Sequence, residues 1–146
     1  MFIIRNLMSI FVLFTFAGCQ VQPDPIEFGK EECSFCKMTI VDRQHAAQLV
    51  TNKGKQYKFD AIECMLNSLN EKQNSKGNQI YLVSDYGKGT MTKAEDATYL
   101  ISQGIKSPMG AFLSAFSSKT DAITTKDQQG GEIYTWEEIM KKYEIE

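Results

Sequence analysis

The chain has 146 residues, with 42% hydrophobic and 23% charged side chains and a formal net charge of -2. This length suits one compact domain or two small ones, and it is too short for a multidomain enzyme. Because basic side chains are not in excess, we expect no nucleic acid partner. The sequence has one histidine and no hydrolase motif such as Gly-x-Ser-x-Gly, so we predict that the protein is not an enzyme.

The first 18 residues have the layout of a bacterial lipoprotein signal peptide. Arg5 precedes a short apolar stretch, and two small residues lead to Cys19. A permanent transmembrane helix needs about 20 apolar residues, more than this stretch contains. The segment that ends at Cys19 resembles a lipobox, whose cysteine is acylated and becomes the new N-terminus. We therefore expect membrane lipid to hold the mature protein through Cys19.

The residues around the cleavage site also suggest where the protein is located. We expect a periplasmic protein, and because Gln20 rather than aspartate follows Cys19, we expect the anchor to lie in the outer membrane. The alternative is a soluble exported protein that is cleaved near Ala17. Residues 19–27 are polar and contain two prolines, which indicates a tether between the lipid and the folded domain.

Residues 28–86 contain the patterns of strands and one helix. The β-branched run 39–41 predicts a strand that starts near Met38. The turn residues at 52–55, with strand-like sequence on both sides, predict a β-hairpin.

A helix is predicted after the hairpin. Asp60 stands three residues before Glu63, which is the spacing of a capping box. The helix should run through Leu69, and the alternating segment 79–84 predicts the strand that follows it. Residues 28–86 therefore read as a ββαβ-like half.

The remaining residues, 87–146, read as a second, ββα-like half. Shifting the sequence by 75 residues places Ala47 on Ala122, although the match is weak enough to be a chance alignment. Thr135 and Glu138 repeat the capping-box spacing. We predict an α+β fold in which two similar small halves of ββαβ character pack as one compact unit.

Two sulfur side chains at the start of the folded domain indicate a metal site. Cys36 and Met38 are two residues apart, so at the head of a strand both would project from the same face. A thioether is a poor ligand for Zn(II) and a good one for Cu(I), which accepts two or three soft ligands. The neighbouring Lys37 would lower the pKa of Cys36 and favour the thiolate. The pattern predicts a Cu(I) site.

Cys33 has three interpretations: a further ligand, a disulfide partner of Cys36, or a surface thiol. Because we expect a strand rather than a helix after the Cys-x-x-Cys pair, we favour metal binding over thiol exchange. The alternative function is an exported thiol-disulfide oxidoreductase that uses Cys33 and Cys36. A third interpretation is a small domain stabilised by a disulfide or by Zn(II).

Two further residues are candidates for the site. Cys64, on the predicted helix, is either a buried core residue or a ligand that closes the metal site. His45 is more typical of a strand edge than of a ligand, and it is kept as a reserve candidate.

Three segments resemble the NosL family of nitrous oxide reductase accessory lipoproteins: Cys36-x-Met38, the block from Phe59 to Met65, and Pro108-Met109-Gly110. The resemblance extends over nearly the whole mature chain. It implies a fold of two similar halves and a lipid-anchored Cu(I) chaperone that supplies copper for the assembly of nitrous oxide reductase, together with a membrane ABC-type complex.

The resemblance also implies ligands. It carries Cys36, Met38 and Met109 over as ligands of Cu(I), whereas Cys33 and Cys64 match only some members of the family. We keep all five as candidate metal residues.

Overall fold

A computed structural model of the chain describes residues 21–71 and 79–145. The predicted signal peptide and the predicted lipidation site at Cys19 lie outside the described residues. Within them the fold mixes helices and strands, and none of the helices is long and apolar enough to cross a bilayer. The elements are β1 (Ala47–Val50), β2 (Gln56–Phe59), α1 (Ile62–Glu71), β3 (Ile80–Ser84), β4 (Met91–Lys93), a 3-10 helix (Ala94–Asp96), β5 (Thr98–Ile101), β6 (Leu113–Phe116), α2 (Lys119–Gln129), β7 (Glu132–Tyr134) and α3 (Trp136–Lys142).

The first sheet has four antiparallel strands in the order β2-β1-β3-β4, and α1 connects β2 to β3. The predicted hairpin is confirmed, because β1 and β2 pair with Ala47 opposite Phe59. Its turn contains Gly54 at φ +80°, a conformation that glycine adopts without steric cost. The helix predicted after Asp60 is also confirmed, and its apolar side chains are buried.

The second sheet has three antiparallel strands in the order β6-β5-β7, and α2 connects β6 to β7. The hydroxyl of Ser118 caps α2 by accepting a hydrogen bond from the amide of Asp121. The capping box predicted for Thr135 and Glu138 is confirmed at the start of α3. Strand β5 lies between its two neighbours, as β1 lies between β2 and β3.

The two halves therefore share the ββαβ order predicted from the sequence, in β1-β2-α1-β3 and in β5-β6-α2-β7. The residue alignment predicted between them is wrong, because Ala122 lies in α2 whereas Ala47 lies in β1. The loop between β5 and β6 is longer than the turn between β1 and β2, so no single offset aligns both hairpins. The boundary at residue 86 stays a prediction, and the first sheet continues beyond it with β4.

The strand predicted to start near Met38 is wrong. This region makes one isolated bridge, between Glu32 and Thr39, instead of a ladder. Lys37 has φ +67°, in the left-handed region, and this bends the chain into a turn immediately before Met38. The β-branched run belongs to an irregular segment in which Ile40 is buried.

One hydrophobic core joins the two halves. Trp136, at the start of α3, lies between Tyr81 of the first sheet and Tyr99 of the second, with ring centroids 5.6 and 5.8 Å away. Aromatic contacts at these distances are favourable beyond the area that they bury. The same core includes apolar residues of α1 and of both sheets. The halves therefore pack as one unit.

The described part of the predicted tether lies on the first sheet. Side chains of β1 and β2 donate hydrogen bonds to the carbonyl oxygens of Gln22, Asp24 and Pro25, at 3.0, 2.9 and 2.8 Å. The chain therefore follows the surface of the domain over these residues, before it reaches the cysteine-containing turn.

Candidate metal centre

A tight turn holds Cys33 and Cys36. The amide of Cys33 donates to the carbonyl of Met38 at 2.8 Å, and the amide of Lys37 donates back to the carbonyl of Cys33 at 3.1 Å. The left-handed conformation of Lys37 allows the chain to reverse between these bonds. This arrangement fixes Cys33 and Cys36 within one short, hydrogen-bonded turn.

Ser34 places this turn against the end of β2. Its amide donates to the carbonyl of Lys58 at 2.8 Å, and its hydroxyl accepts from the amide of Lys58 at 3.2 Å. Asp60 comes directly after β2, and Cys64 lies four residues later, near the start of α1. Asp60 lies two residues before α1 begins, and the thiol of Cys36 in the turn donates a hydrogen bond to it.

Four ligand atoms meet where the turn faces α1. The sulfur atoms of Cys33, Cys36 and Cys64 and a carboxylate oxygen of Asp60 all lie within 4.8 Å of one another. Cys33, Cys64 and Asp60 are buried, and Cys36 is partly exposed. The three cysteines are free thiols. We call these four residues the cysteine cluster.

The cluster concentrates groups that can become anionic. Among residues 21–71 and 79–145, no ion pair includes Asp60. Buried charges in proteins are normally paired or bound to a metal ion. A buried carboxylate beside three thiols and without a cationic side chain is therefore suited to binding a metal cation.

The three thiols differ in acidity. A hydrogen bond from Cys64, supported by backbone amides, lowers the pKa of Cys33 to about 6 against the opposing effect of burial. The hydrogen bond to Cys33, burial and the carboxylate of Asp60 raise the pKa of Cys64. Burial, together with Cys33 and Asp60, raises the pKa of Cys36. Cys33 is thus the most acidic of the three thiols, and metal binding must displace protons from the two cysteines whose pKa is raised.

The effect predicted for Lys37 is wrong. Its ammonium group donates to the carbonyl of Ser34 at 2.9 Å, and the pKa of Cys36 is raised rather than lowered. Of the two cysteines in the turn, it is Cys33 whose pKa is lowered.

Met38 does not have the position that a strand would give it. Because a turn separates it from Cys36, the two side chains do not alternate along a strand, and the Met38 side chain is 53% exposed. Its backbone is part of the site nevertheless, since the carbonyl binds the amide of Cys33 and the amide donates to the sulfur of Cys36.

Met109 lies on another element, the loop between β5 and β6. We call residues 107–112 the Met109 loop. Ser107 donates through its hydroxyl to a carboxylate oxygen of Glu63, the residue before Cys64. The amide of Ala111 contacts the same oxygen at 3.4 Å. The loop is thus bonded to the end of α1 that carries Cys64, and Met109 itself is 41% exposed.

His45 lies apart from the cluster. Its ring nitrogens contact a carboxylate oxygen of Asp42 at 2.8 Å and the hydroxyl of Ser114 at 3.2 Å. Both nitrogens therefore have partners within the fold, and the ring links the segment before β1 to β6. The structure does not bring this reserve candidate to the other predicted ligands.

Asp60 is the site residue that the sequence analysis missed. The spacing of Asp60 and Glu63 predicts a capping box, but Asp60 accepts a hydrogen bond from the thiol of Cys36 and Glu63 binds the Met109 loop. Asp60 lies before α1 begins at Ile62, so helical spacing does not indicate its place, which depends on the docking of the cysteine-containing turn.

Two small antiparallel sheets, two connecting helices and a buried thiol-rich cluster define an α+β metal-binding class of protein. A model of the NosL family matches residues 25–144, and the chain belongs to this family. It is 26% identical to the copper-binding lipoprotein NosL of Stutzerimonas stutzeri, over 92% of this chain and 78% of that protein.

A solved structure shows the same fold. The crystal structure of the copper chaperone NosL from Shewanella denitrificans matches with a TM-score of 0.71 and 22% sequence identity. The match covers 82% of this chain and 96% of that chain. The predicted α+β fold is thereby confirmed.

Proposed function

We propose that this protein is a lipid-anchored periplasmic carrier of Cu(I) that delivers copper for the assembly of nitrous oxide reductase or a related copper enzyme. The observation that carries the proposal is the meeting of three sulfur atoms and one carboxylate oxygen within 4.8 Å. Copper binding by the relative from Stutzerimonas stutzeri supports the choice of ion.

The ligand chemistry favours Cu(I) over harder ions. Three cysteine sulfurs are a soft set, and Cu(I) accepts two or three such ligands without a fourth. Zn(II) would need Asp60 as its fourth ligand to complete a tetrahedron. The contact between Asp60 and the Cys36 thiol gives the carboxylate another role, that of a hydrogen-bond acceptor in the metal-free site. We therefore assign Cys33, Cys36 and Cys64 as the principal ligands.

Met38 and Met109 are further ligands in this proposal. Both side chains are exposed, at 53% and 41%, whereas Cys33 and Cys64 are buried. An exposed thioether can bind an ion that is passing between the buried cluster and a partner. Transfer then proceeds by ligand exchange, in which the donors of the partner replace those of the carrier one at a time. The oxidation state of copper does not change, and Cys36 and Cys64 regain their protons when the ion leaves.

The anchor and the location rest on the N-terminal sequence. Cys19 at the end of the signal peptide is the acylation site, and the relative from Stutzerimonas stutzeri is a lipoprotein. Gln20 favours the outer membrane. Because the segment from Gln22 onward is bonded to the domain, only two residues separate it from Cys19 in the sequence, which would keep the carrier close to the bilayer surface.

The recipients follow from the family resemblance. We assign delivery to nitrous oxide reductase, with a membrane ABC-type complex that assembles its copper centres. The protein acts in this scheme as a carrier and not as an enzyme, because ligand exchange requires no catalysed chemical step.

The burial and acidity of these cysteines do not favour the alternative function, an exported thiol-disulfide oxidoreductase. Such an enzyme attacks its substrate with an accessible thiolate of low pKa. Here the low pKa belongs to Cys33, which is fully buried, and the partly exposed Cys36 has a raised pKa. An insulin-reduction assay tests this alternative directly, and we expect no activity above that of free thiols.

Metal analysis tests the proposed function. The mature protein, purified under reducing and anaerobic conditions, is titrated with Cu(I) against a competing chelator. We expect one tightly bound Cu(I), with affinity lost in Cys36→Ser and in Cys33→Ser. The matched control is Cys19→Ser, which should keep copper binding but lose membrane association. A reduced wild-type protein that binds no Cu(I), or that binds it equally well without Cys33 and Cys36, would falsify the proposal.

A further inference from the structure

Glu63 is a buried carboxylate that the proposed function leaves unexplained. It is 1% exposed, and no ion pair includes it among the described residues. One oxygen accepts from Ser107 and contacts the amide of Ala111, while the other oxygen is buried without a hydrogen-bond partner. Burying a carboxylate with incomplete bonding is costly, and an apolar side chain of similar size would often be at least as stable.

The position of Glu63 connects the two parts of the site. It directly precedes Cys64 on α1. Its carboxylate contacts Ser107 and Ala111 of the Met109 loop, one on each side of Met109. The carboxylate of Glu63 is not one of the four groups in the cysteine cluster. It therefore acts on the loop rather than on the ion.

The Met109 loop contains two residues in the left-handed region. Gly110 and Phe112 have φ values of +76° and +59°, and a left-handed phenylalanine is an unfavourable conformation. The hydroxyl of Ser107 compensates by accepting from the amide of Phe112 at 2.9 Å while it donates to Glu63. Met109 lies at the tip of the loop, between the two residues that Glu63 contacts.

We propose that Glu63 is a positioning residue that holds the Met109 loop against the end of α1 that carries Cys64 and thereby sets the rate at which the metal ion leaves. This inference rests on the proposed function, because it assigns a role in the release of the same ion. A firmly held Met109 can bind the departing ion in a defined geometry, whereas a loosened loop lets the ion escape to any acceptor.

The test measures the rate at which Cu(I) passes from the loaded full-length protein to a chromogenic chelator. Ser107→Ala removes the hydroxyl that donates to Glu63 and accepts from the amide of Phe112, and Met109→Leu removes the thioether. We expect each to speed release by about tenfold, the change expected for one lost buried interaction. In the double variant, release should be no faster than in Met109→Leu, because both changes remove the same effect.

Two controls separate positioning from general stability. Ser102→Ala removes another buried serine hydroxyl of the same β5–β6 connection, which donates to the carbonyl of Gln129 at 2.8 Å rather than to Glu63. It should lower the melting temperature as much as Ser107→Ala while leaving copper release unchanged. Glu63→Gln keeps an oxygen that can accept from Ser107, and its release rate should stay within about threefold of wild type.

Additive effects of Ser107→Ala and Met109→Leu would overturn the inference, as would a Ser107→Ala variant that behaves like Ser102→Ala. Both outcomes would leave the carrier function standing, provided that the wild type binds one Cu(I) and Cys36→Ser does not. A wild type that binds no Cu(I) would overturn the proposed function and this inference together.

Discussion

The thiol of Cys36 donates a hydrogen bond to a carboxylate oxygen of Asp60, with 3.4 Å between Sγ and Oδ1. This contact joins the turn before β1 to the residue that follows β2, so the two sides of the cluster meet before any metal binds. Because the carboxylate raises the pKa of both Cys36 and Cys64, it favours their thiol forms. Asp60 thus holds the metal-free site together and opposes the ionisation that metal binding requires.

Asp60→Asn should therefore change the affinity for Zn(II) much more than the affinity for Cu(I). The amide keeps the shape but removes the charge, so the pKa values of Cys36 and Cys64 should fall, and Cu(I) affinity should stay within about threefold of wild type or rise. Zn(II) affinity should drop by at least about tenfold, because its tetrahedron loses a carboxylate ligand. Competition titrations with both metals measure this. Asp127→Asn, an exposed change on α2, is the control, and a large loss of Cu(I) affinity would make Asp60 a copper ligand.

Met38→Leu should weaken Cu(I) binding without unfolding the protein. The side chain is half exposed, so its replacement should change the free energy of unfolding by less than about 0.5 kcal/mol. Loss of the thioether should lower Cu(I) affinity by about fivefold, less than the loss caused by Cys36→Ser, because three thiol ligands remain. Met140→Leu, on α3, is the matched control. Equal affinities of wild type and Met38→Leu would remove Met38 from the ligand set.

The local parts of the fold were predictable from the sequence. The hairpin around Gly54 and the capping box of Thr135 and Glu138 depend on residues close in the chain, whose preferences are visible in sequence. The ββαβ order of each half follows from these elements. The alignment of Ala47 with Ala122 failed because the halves share topology without sharing loop lengths.

The candidate site was less predictable, because its contacts are long-range. The sequence contained Cys33, Cys36 and Cys64, but tertiary contacts such as those of Ser34 with Lys58 place the turn against the end of β2. The run 39–41 favoured a strand, yet the left-handed Lys37 and the burial of Ile40 produced a turn instead. Tertiary packing there outweighs the local β preference.

The acidity of Cys33 can be tested by ultraviolet absorbance of the thiolate in the metal-free, reduced protein. Because the pKa of Cys33 is lowered from 9.0 to about 6, the absorbance should persist as the pH falls from 9 and disappear around pH 6. The ionised thiolate stabilises the folded state above its unfolded pKa, and this contribution is lost as the pH falls through the folded value.

Two variants test whether this change in absorbance comes from Cys33. Cys33→Ser should abolish the absorbance step, and Cys64→Ala should move it towards higher pH, because the strongest hydrogen bond to the thiolate is then missing. A step that stays near pH 9 in the wild type would show that the thiolate is not stabilised in the folded protein.

Gly131→Ala should be among the most destabilising changes outside the site. A Cβ at this position would lie 2.2 Å from the carbonyl oxygen of Ile101, and φ is +105°, so the backbone of β7 must move away from β5. Gly54→Ala is the matched control, since Gly54 also has positive φ but no atom lies within 4 Å of its added Cβ. We expect a loss of about 1 kcal/mol for Gly54→Ala and more than about 3 kcal/mol for Gly131→Ala in chemical denaturation. Equal losses would mean that only the backbone conformation matters and that the close pairing of β5 with β7 does not constrain this glycine.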